Sequence, residues 1–487
     1  MQKLPKNLYT AAQIGEMESL AIKQHSTPGI ELMSRAGYAV FRHLRNKLPN
    51  ARRIAVFCGS GNNAGDGYIV ANLAKAAGMD VTIYTVYAPY NLTGNVELAY
   101  RDYLKAKGQI IEFEPGMEIR TDIVVDALLG TGLNKPVSGL YQDAIQAINK
   151  TKAYIAAVDL PSGLNPDTGC VMGIAVKASC TVTFIGLKQG LFTGQAADYC
   201  GDIQYSTLAL PKEVFSRVKS ENYRIIQKII PPRARCAHKG DFGHVLIIGG
   251  DKGFTGAASM AGEAALRVGA GLVSIAMHPD HAALMNTGRP ELMCHGVKNA
   301  DQLLPLLDKA DVLVVGPGLG QSKWAAELFI VAIKSGKMLV VDADGLNLLA
   351  HVTEKHAKWV LTPHPGEAAR LMHKNVSDIQ QDRYAAVAAM QKQYGGIVVL
   401  KGSGSLVASD GEIAVSGSGN PGMASGGMGD VLAGIIGGLL AQGFSMKDAA
   451  QQGVYLHGMA GDLAAEAGGE RGLLASDLFP YIRQLVN

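Results

Sequence analysis

The chain has 487 residues, too many for one ordinary hydrophobic core, so two domains are expected. It is 48% hydrophobic and 18% charged with 59 glycines, which excludes a disordered chain and suits an α/β architecture with glycine-rich loops. The formal net charge of +3 carries no polyelectrolyte signature, so neither nucleic acid nor a membrane surface is an expected partner.

The first seven residues, Met1-Gln2-Lys3-Leu4-Pro5-Lys6-Asn7, lack the apolar core of a signal peptide. The longest strongly apolar run, 431–446, is too short and too rich in glycine for a membrane span. Cys58, Cys170, Cys180, Cys200, Cys236 and Cys294 show no Cys-x-x-Cys spacing and read as reduced thiols of a cytoplasmic protein. No His-Glu-x-x-His pattern is present.

Residues 8–48 place Ile14, Met17, Leu20 and Ala21, then Leu32, Met33, Ala36 and Val40, at helical spacing, which predicts two helices. Residues 53–58 read as a short buried strand. It enters Gly59-Ser60-Gly61-Asn62-Asn63-Ala64-Gly65-Asp66-Gly67, read as a glycine loop, with a helix over 68–77. Strand, loop and helix in that order make a nucleotide-binding unit, although the spacing is not Gly-x-Gly-x-x-Gly. Two amides and a carboxylate in the loop point to a ligand with hydroxyls, amides or a bound cation as well as phosphate. Strands are predicted at 81–86, 123–128, 154–158 and 181–185, with helical patterns between them, so the sheet is mostly parallel. Ligands of such sheets sit beyond the carboxyl ends of the strands. Asp126 with Gly130-Thr131-Gly132 and Asp159 with Pro161-Ser162-Gly163 stand there. Each acid alone is more often a turn or capping residue; the convergence of Asn63, Asp126, Asp159 and Ser162 favours a site.

Gly61-Asn62-Asn63-Ala64-Gly65-Asp66-Gly67, Asp126-Ala127-Leu128-Leu129-Gly130-Thr131-Gly132, Val158-Asp159-Leu160-Pro161-Ser162-Gly163 and Phe184-Ile185-Gly186-Leu187-Lys188-Gln189-Gly190-Leu191 together resemble the NAD(P)H-hydrate epimerase domain over nearly all of residues 8–210. The resemblance implies a Rossmann-like parallel-sheet domain. It implies that Asn62, Asn63, Ala64, Gly65, Asp66, Gly130, Thr131, Gly132, Leu133, Asn134, Lys135, Pro136 and Asp159 bind the damaged cofactor, with Asp159 catalytic. It also implies potassium at Asn63, Asp126 and Ser162. Two departures are visible: Ala64 stands where glycine is usual and Ser60 where proline is common. Ala64 matters only if the chain needs positive φ there.

Between Leu210 and Gly240 the periodicity weakens and Pro211 and Pro231-Pro232-Arg233 appear, so the boundary is placed near residue 219, giving domains 1–218 and 219–487. The second half restarts with a strand at 244–248, then Gly249-Gly250-Asp251, and a helix that ends at Gly269. Strands recur at 272–277, 312–315, 338–341, 359–361 and 397–400, and polar groups again stand at their ends. These are Gly316-Pro317-Gly318-Leu319-Gly320, Asp342-Ala343-Asp344-Gly345, Thr362-Pro363-His364-Pro365-Gly366-Glu367 and Lys401-Gly402-Ser403-Gly404-Ser405. A hairpin is expected around Asp410-Gly411. Alone, His364 is as readily a structural histidine and Lys401 a solvated lysine.

The stretch around which the rest turns is Asn420-Pro421-Gly422-Met423-Ala424-Ser425-Gly426-Gly427-Met428-Gly429-Asp430, which runs into an apolar helix. Glycines bring backbone N–H groups close to a ligand, and a helix start favours phosphate. An acid there would repel an anion, so Asp430 makes sense as the base for a hydroxyl beside a phosphoryl group. The plainer alternative is a helix cap.

As a set, His238-Lys239-Gly240 and these motifs resemble a ribokinase-like α/β fold and, more closely, ADP-dependent NAD(P)H-hydrate dehydratase over roughly residues 225–485. That resemblance implies that Lys401, Gly402, Ser403, Gly404, Ser405 and Gly429 touch the adenine nucleotide. It implies that Ala257, Gly318, His364 and Asp430 touch the hydrate, with Asp430 catalytic, and that Mg2+ accompanies ADP with Glu367 in its outer shell. Met428 departs from the usual threonine. The implied activity is repair of hydrated NADH and NADPH (NADHX and NADPHX): exchange of the R and S epimers at C6, then ADP-dependent dehydration of the S epimer to NAD(P)H with release of AMP and phosphate. The expected partners are these small molecules and ADP, in a cytoplasmic homo-oligomer. The alternative is a vitamin-precursor kinase fused to a non-catalytic nucleotide-binding module, since fold does not fix substrate.

Overall fold

Runs such as Ile54-Ala55-Val56-Phe57-Cys58, apolar on both alternating sets of positions, are buried on both faces of a sheet and call for helical cover on each side. The computed structural model, which describes residues 4–87, 92–285 and 288–487, has that architecture in each of two units, Met1–Tyr223 and Arg224–Asn487.

In the first unit seven strands lie in the order Gln109–Glu112, Asp80–Thr85, Arg53–Cys58, Ile123–Ala127, Tyr154–Val158, Cys180–Phe184 and Asp202–Ser206. All neighbours are parallel. Ile54, Val56 and Cys58 face a core built with Met17, Leu32, Met33, Val40 and Tyr68, while Ala55 and Phe57 face another built with Phe113, Ile145 and Ile148. This is the period-two division of a strand between two layers.

The glycine loop is shorter than the sequence predicts. Helix Asn62–Ala76 begins inside it, so only 59–61 are non-helical. The glycines that suggested a loop serve close packing instead. A Cβ on Gly65 would lie 2.4 Å from the Met33 thioether, and one on Gly67 would lie 2.6 Å from Ala127 Cβ. Ala64 is helical and fully buried, so its departure from glycine carries no backbone strain. Two strand ends do turn through left-handed backbone at non-glycine residues, Asp159 at φ 68° and Ile185 at φ 63°.

The second unit orders its strands Met293–Gly296, Leu272–Met277, His244–Ile248, Val312–Val315, Met338–Val341, Trp359–Leu361, Ile397–Leu400, Leu406–Ser409 and Glu412–Val415. The first seven are parallel and the last two close as antiparallel partners. The hairpin turns at Asp410 and Gly411, both with positive φ (47° and 82°), as a two-residue I′ turn requires. The apolar helix Met428–Ala441 packs on Thr255–Val268 so closely that a Cβ on Gly434 would sit 2.0 Å from the Ala261 carbonyl oxygen. Its glycines are therefore packing residues. Among the described residues no helix is long and apolar enough to cross a membrane.

Candidate functional sites

In the first unit a cavity of about 570 Å³ opens beyond the carboxyl ends of the strands. Asn62, Asn63 and Asp66 reach it from the start of the helix after strand Arg53–Cys58. Gly130, Thr131, Gly132, Leu133, Asn134 and Lys135 reach it from the loop after Ile123–Ala127, and Asp159 from the end of Tyr154–Val158. Ala64, Gly65 and Pro136 do not line it; Ala64 and Gly65 are in the core behind it, and Pro136 is exposed.

Asp126 and Ser162 lie under the cavity, both fully buried. Ser162 donates its backbone N–H (2.8 Å) and its hydroxyl (2.6 Å) to the Asp126 carboxylate. The Ser162 hydroxyl also accepts the Leu129 N–H at 2.8 Å, and Asn63 Nδ2 donates to the Leu129 carbonyl at 3.0 Å. Asn63, Asp126 and Ser162 are thus joined through Leu129 into one oxygen-rich knot. Burial pushes the Asp126 carboxyl up to about 6 against the opposing effect of these hydrogen bonds, and no described cation lies within ion-pair distance of it.

Asp159 accepts the Phe184 N–H (3.1 Å) and the Thr183 hydroxyl (3.2 Å), and pairs with the ammonium of the fully buried Lys188. Lys188 also donates to Thr183 Oγ1 at 3.1 Å and to the Phe184 carbonyl at 3.0 Å. Two further acids line the same cavity, Asp66 and Glu18. Burial and the negative charge of Asp159 raise both above the ordinary carboxylate range, Asp66 strongly, with Lys188 opposing. Sequence reasoning missed Glu18 and the role of Lys188. The available signal was that Glu18 falls on the apolar stripe Ile14, Met17, Ala21 of helix Ala11–Gln24, where an acid has no structural reason to stand.

In the second unit the polar groups at the strand ends also converge. Lys401 Nζ lies 2.6 Å from Asp342 and 3.7 Å from Glu367. Asp342 also accepts the Thr362 hydroxyl at 2.8 Å. Lys401 is therefore not a solvated lysine. His364 is the N-cap of helix Pro365–Met372: its Nδ1 accepts the Gly366 N–H at 2.9 Å, while Glu367 accepts the His364 N–H at 2.8 Å. Burial and the Lys401 charge lower the His364 pKa, so the imidazole is neutral near pH 7. Burial raises Glu367 to about 7, with Lys401 opposing.

The glycine-rich turn closes over this pair. A Cβ on Gly429 would sit 3.1 Å from Lys401 Nζ and 3.3 Å from Asp342 Oδ2. Gly427, at φ 89°, is the N-cap of the apolar helix and provides no side chain for capping. Asp430 is the third residue of that helix, half-buried, and no hydrogen bond from the described residues reaches its carboxylate. It does not act as the cap. Burial and Asp342 raise it to about 7, with Lys401 opposing and Asp344 adding to the rise.

Ala257 and Gly318 are neighbours, since a Cβ on Gly318 would lie 3.2 Å from Ala257 Cβ. Asp344 joins them to the cluster by accepting the Gly320 N–H at 2.8 Å. Gly402, Ser403, Gly404 and Ser405 form a loop open to solvent, tied by the Gly402 N–H to Ser405 Oγ (3.2 Å) and supported beneath by buried Arg383, which donates to the Leu400 and Lys401 carbonyls.

A family model described as YjeF-related protein N-terminus matches residues 29–190, and one described as NAD(P)H-hydrate dehydratase matches residues 245–484. A bifunctional NAD(P)H-hydrate repair enzyme of Coxiella burnetii is 47% identical over 485 residues, covering 99% of each chain. The Escherichia coli protein of that name is 42% identical over 488 residues, covering 99% of this chain and 95% of its own. A ribokinase-like superfamily protein of Enterococcus faecalis superposes with a TM-score of 0.50 at 30% identity, covering 53% of this chain and 91% of its own.

Proposed function

The chain belongs to the bifunctional NAD(P)H-hydrate repair enzymes, and from that premise we propose which of its residues carry each reaction. The first unit exchanges the R and S hydrates and the second dehydrates the S hydrate with ADP.

In the second unit Asp430 takes the proton of the C6 hydroxyl as that oxygen attacks the terminal phosphoryl group of ADP and AMP departs. N–H groups of Gly426, Gly427, Met428 and Gly429 receive the charge on the transferring group, a role that the helix start favours whatever side chain stands at 428. Lys401 holds Asp342 and Glu367 in place beneath the transfer site. The loop Gly402, Ser403, Gly404, Ser405 receives the nucleotide, and Ala257, Gly318 and His364 the hydrate. Phosphate then leaves C6, expelled by the lone pair of N1, and the iminium so formed loses a proton from C5, carried off by the departing phosphate, which makes the C5=C6 bond of the dihydronicotinamide. Glu367 would stand in the outer shell of a magnesium ion accompanying ADP, an ion that would offset the negative charge of the phosphates.

In the first unit the ligand atoms that Asn63, Asp126 and Ser162 can offer are all oxygens, and no cation among the described residues pairs with the buried Asp126 carboxylate, which supports a potassium ion there. Such an ion would supply positive charge to that buried carboxylate. Asp159, carried on strained backbone beside Lys188, handles the proton of the hydrate's hydroxyl.

The observation that carries the reading is Asp430: a half-buried carboxylate that no hydrogen bond from the described residues reaches, at a helix start beside the Lys401–Asp342 pair. The test incubates the whole chain with mixed hydrate epimers, with and without ADP, and follows the absorbance of reduced nicotinamide. Full conversion with ADP, with phosphate released, is expected. A stable phosphorylated product would instead establish a kinase, and conversion stopping when the S epimer is consumed would remove the first activity.

A further inference from the structure

The cavity of the first unit holds more acid than the one ion pair among its described lining residues can use. Glu18, Asp66 and Asp159 all line it, with Lys188. Lys188 is committed to Asp159. No hydrogen bond or ion pair from the described residues reaches the Glu18 carboxylate, although it stands on the inward stripe of its helix between Met17 and Ala21, both fully buried. A buried-facing acid with no partner is costly to the fold, which points to a use for it.

The reaction assigned to this unit needs such a group. C6 of the hydrate bears a hydroxyl and is bonded to N1, so it is a carbinolamine. Taking the hydroxyl proton and breaking the C6–N1 bond leaves an aldehyde at C6, and the bond's electron pair on N1 is satisfied by one proton. Rotation about C5–C6 turns the other face of the aldehyde to N1. Reclosure forms C6–N1, returns a proton to oxygen and removes the one on nitrogen. One O–H and one C–N bond break, one C=O and one N–H form, and the return reverses them with no other reactant. Two proton-handling groups are required, one for oxygen and one for nitrogen. Asp159, beside the Lys188 ammonium, is suited to act as base at oxygen.

We propose that Glu18 is the second catalytic residue of epimer exchange, delivering a proton to N1 as the ring opens and taking it back as the ring closes. This inference rests on the epimerase reading above. The charged groups that line the cavity with Glu18 are Asp66 on helix Asn62–Ala76, Asp159 beyond strand Tyr154–Val158, Lys188, and Lys135 on the loop after Ile123–Ala127. Burial and the charge of Asp159 favour the protonated form of Glu18 and Lys188 opposes it.

The test measures epimer exchange from pure R hydrate, after subtracting the uncatalysed rate, as a function of pH in the parent, Glu18→Gln, Glu18→Asp and Asp66→Asn. ADP-dependent dehydration of S hydrate by the same preparations reports folding of the chain. A parent rate that falls as pH rises is expected, because the acid must carry its proton to act. Glu18→Gln is expected to lose roughly 100-fold or more in kcat and to lose that alkaline limb, with partial recovery in Glu18→Asp and dehydration unchanged. A Glu18→Gln enzyme that keeps the parent's alkaline limb, whatever its rate, overturns the proposal, as does transfer of the effect to Asp66→Asn alone. A parent that does not exchange epimers at all defeats the epimerase reading itself, an outcome that no Glu18 result can imitate.

Discussion

Both candidate sites place a lysine against an aspartate at the carboxyl ends of parallel strands, yet they use the pair in opposite ways. In the first unit Lys188 pairs with Asp159, the residue expected to act on substrate. In the second Lys401 pairs with Asp342, and the residue expected to act, Asp430, receives no hydrogen bond from the described residues and is raised to about 7. A lysine on the acting carboxylate fixes its position. With the lysine on the neighbouring carboxylate instead, burial and the negative charge of Asp342 increase the acting carboxyl's hold on a proton, and Lys401 only opposes them in part. The first arrangement suits a site that handles protons at the C6 hydroxyl and at N1 of the same hydrate. The second suits a base that must accept a proton as phosphoryl transfer begins, because a base with a pKa near the working pH is the more effective one.

Substitution of the acting residues tests this contrast most severely. Asp430→Asn keeps the size of the side chain and removes the proton acceptor, so dehydration of S hydrate is expected to fall on the order of 10²–10⁴-fold. ADP binding, measured by calorimetry, and epimer exchange should persist. A loss of only a few-fold would show that Asp430 is not the base. Asp159→Asn should slow epimer exchange by about 10²-fold or more and leave dehydration of pure S hydrate near normal. An equal fall in both reactions would break the division of labour between the units.

The pH profile gives the next largest effect. With Asp430 at about 7, kcat/KM for dehydration should rise with pH up to about 7 and fall roughly tenfold per unit below it, since the base must be ionised in the free enzyme. A flat profile between pH 5 and 8 would remove the link between that carboxyl and the rate. Replacing potassium by a bulky organic cation should slow epimer exchange several-fold and leave dehydration unaffected by way of Asp126. Unchanged exchange would count against the oxygen knot as an ion site.

Much of this was legible in the sequence, and the failures have physical causes. Strands such as Leu272–Met277, Val312–Val315 and Ile397–Leu400 agree with their expected bounds, because a buried parallel strand is a continuous apolar run between turn residues. The start of helix Asn62–Ala76 was misread because glycine signals both a turn and close packing, and Gly65 and Gly67 are there for Met33 and Ala127. Asp342 and Glu367 could be noticed beside their strands, but their shared contact with Lys401 could not, since the three are brought together only by the sheet. Glu18 lies more than 100 residues from Asp159, and motif reading concentrates on loops, so an acid within a helical stripe escaped it.

The smallest expected effect concerns stability rather than rate. Asp430 has an ordinary carboxylate pKa when the chain is unfolded and about 7 when it is folded. The folded state therefore binds its proton more tightly, and between about pH 4 and pH 7 unfolding releases that proton. Stability from this group is present below its unfolded pKa and declines as pH rises through the folded one. At pH 8 the folded chain must hold an ionised, half-buried carboxylate close to Asp342, so this group weakens the fold. Asparagine at the same place carries no charge and follows no such curve. Asp430→Asn should therefore unfold at higher denaturant than the parent at pH 8, by about 1 kcal/mol once partial solvent screening is allowed for, and the difference should shrink toward pH 5. Lys188 pairs directly with Asp159, so Asp159→Asn leaves a buried ammonium without its partner and should destabilise at pH 8 instead. If both variants shift in the same direction, the contrast between a lysine on the acting acid and a lysine on its neighbour does not describe how the two sites hold their charges.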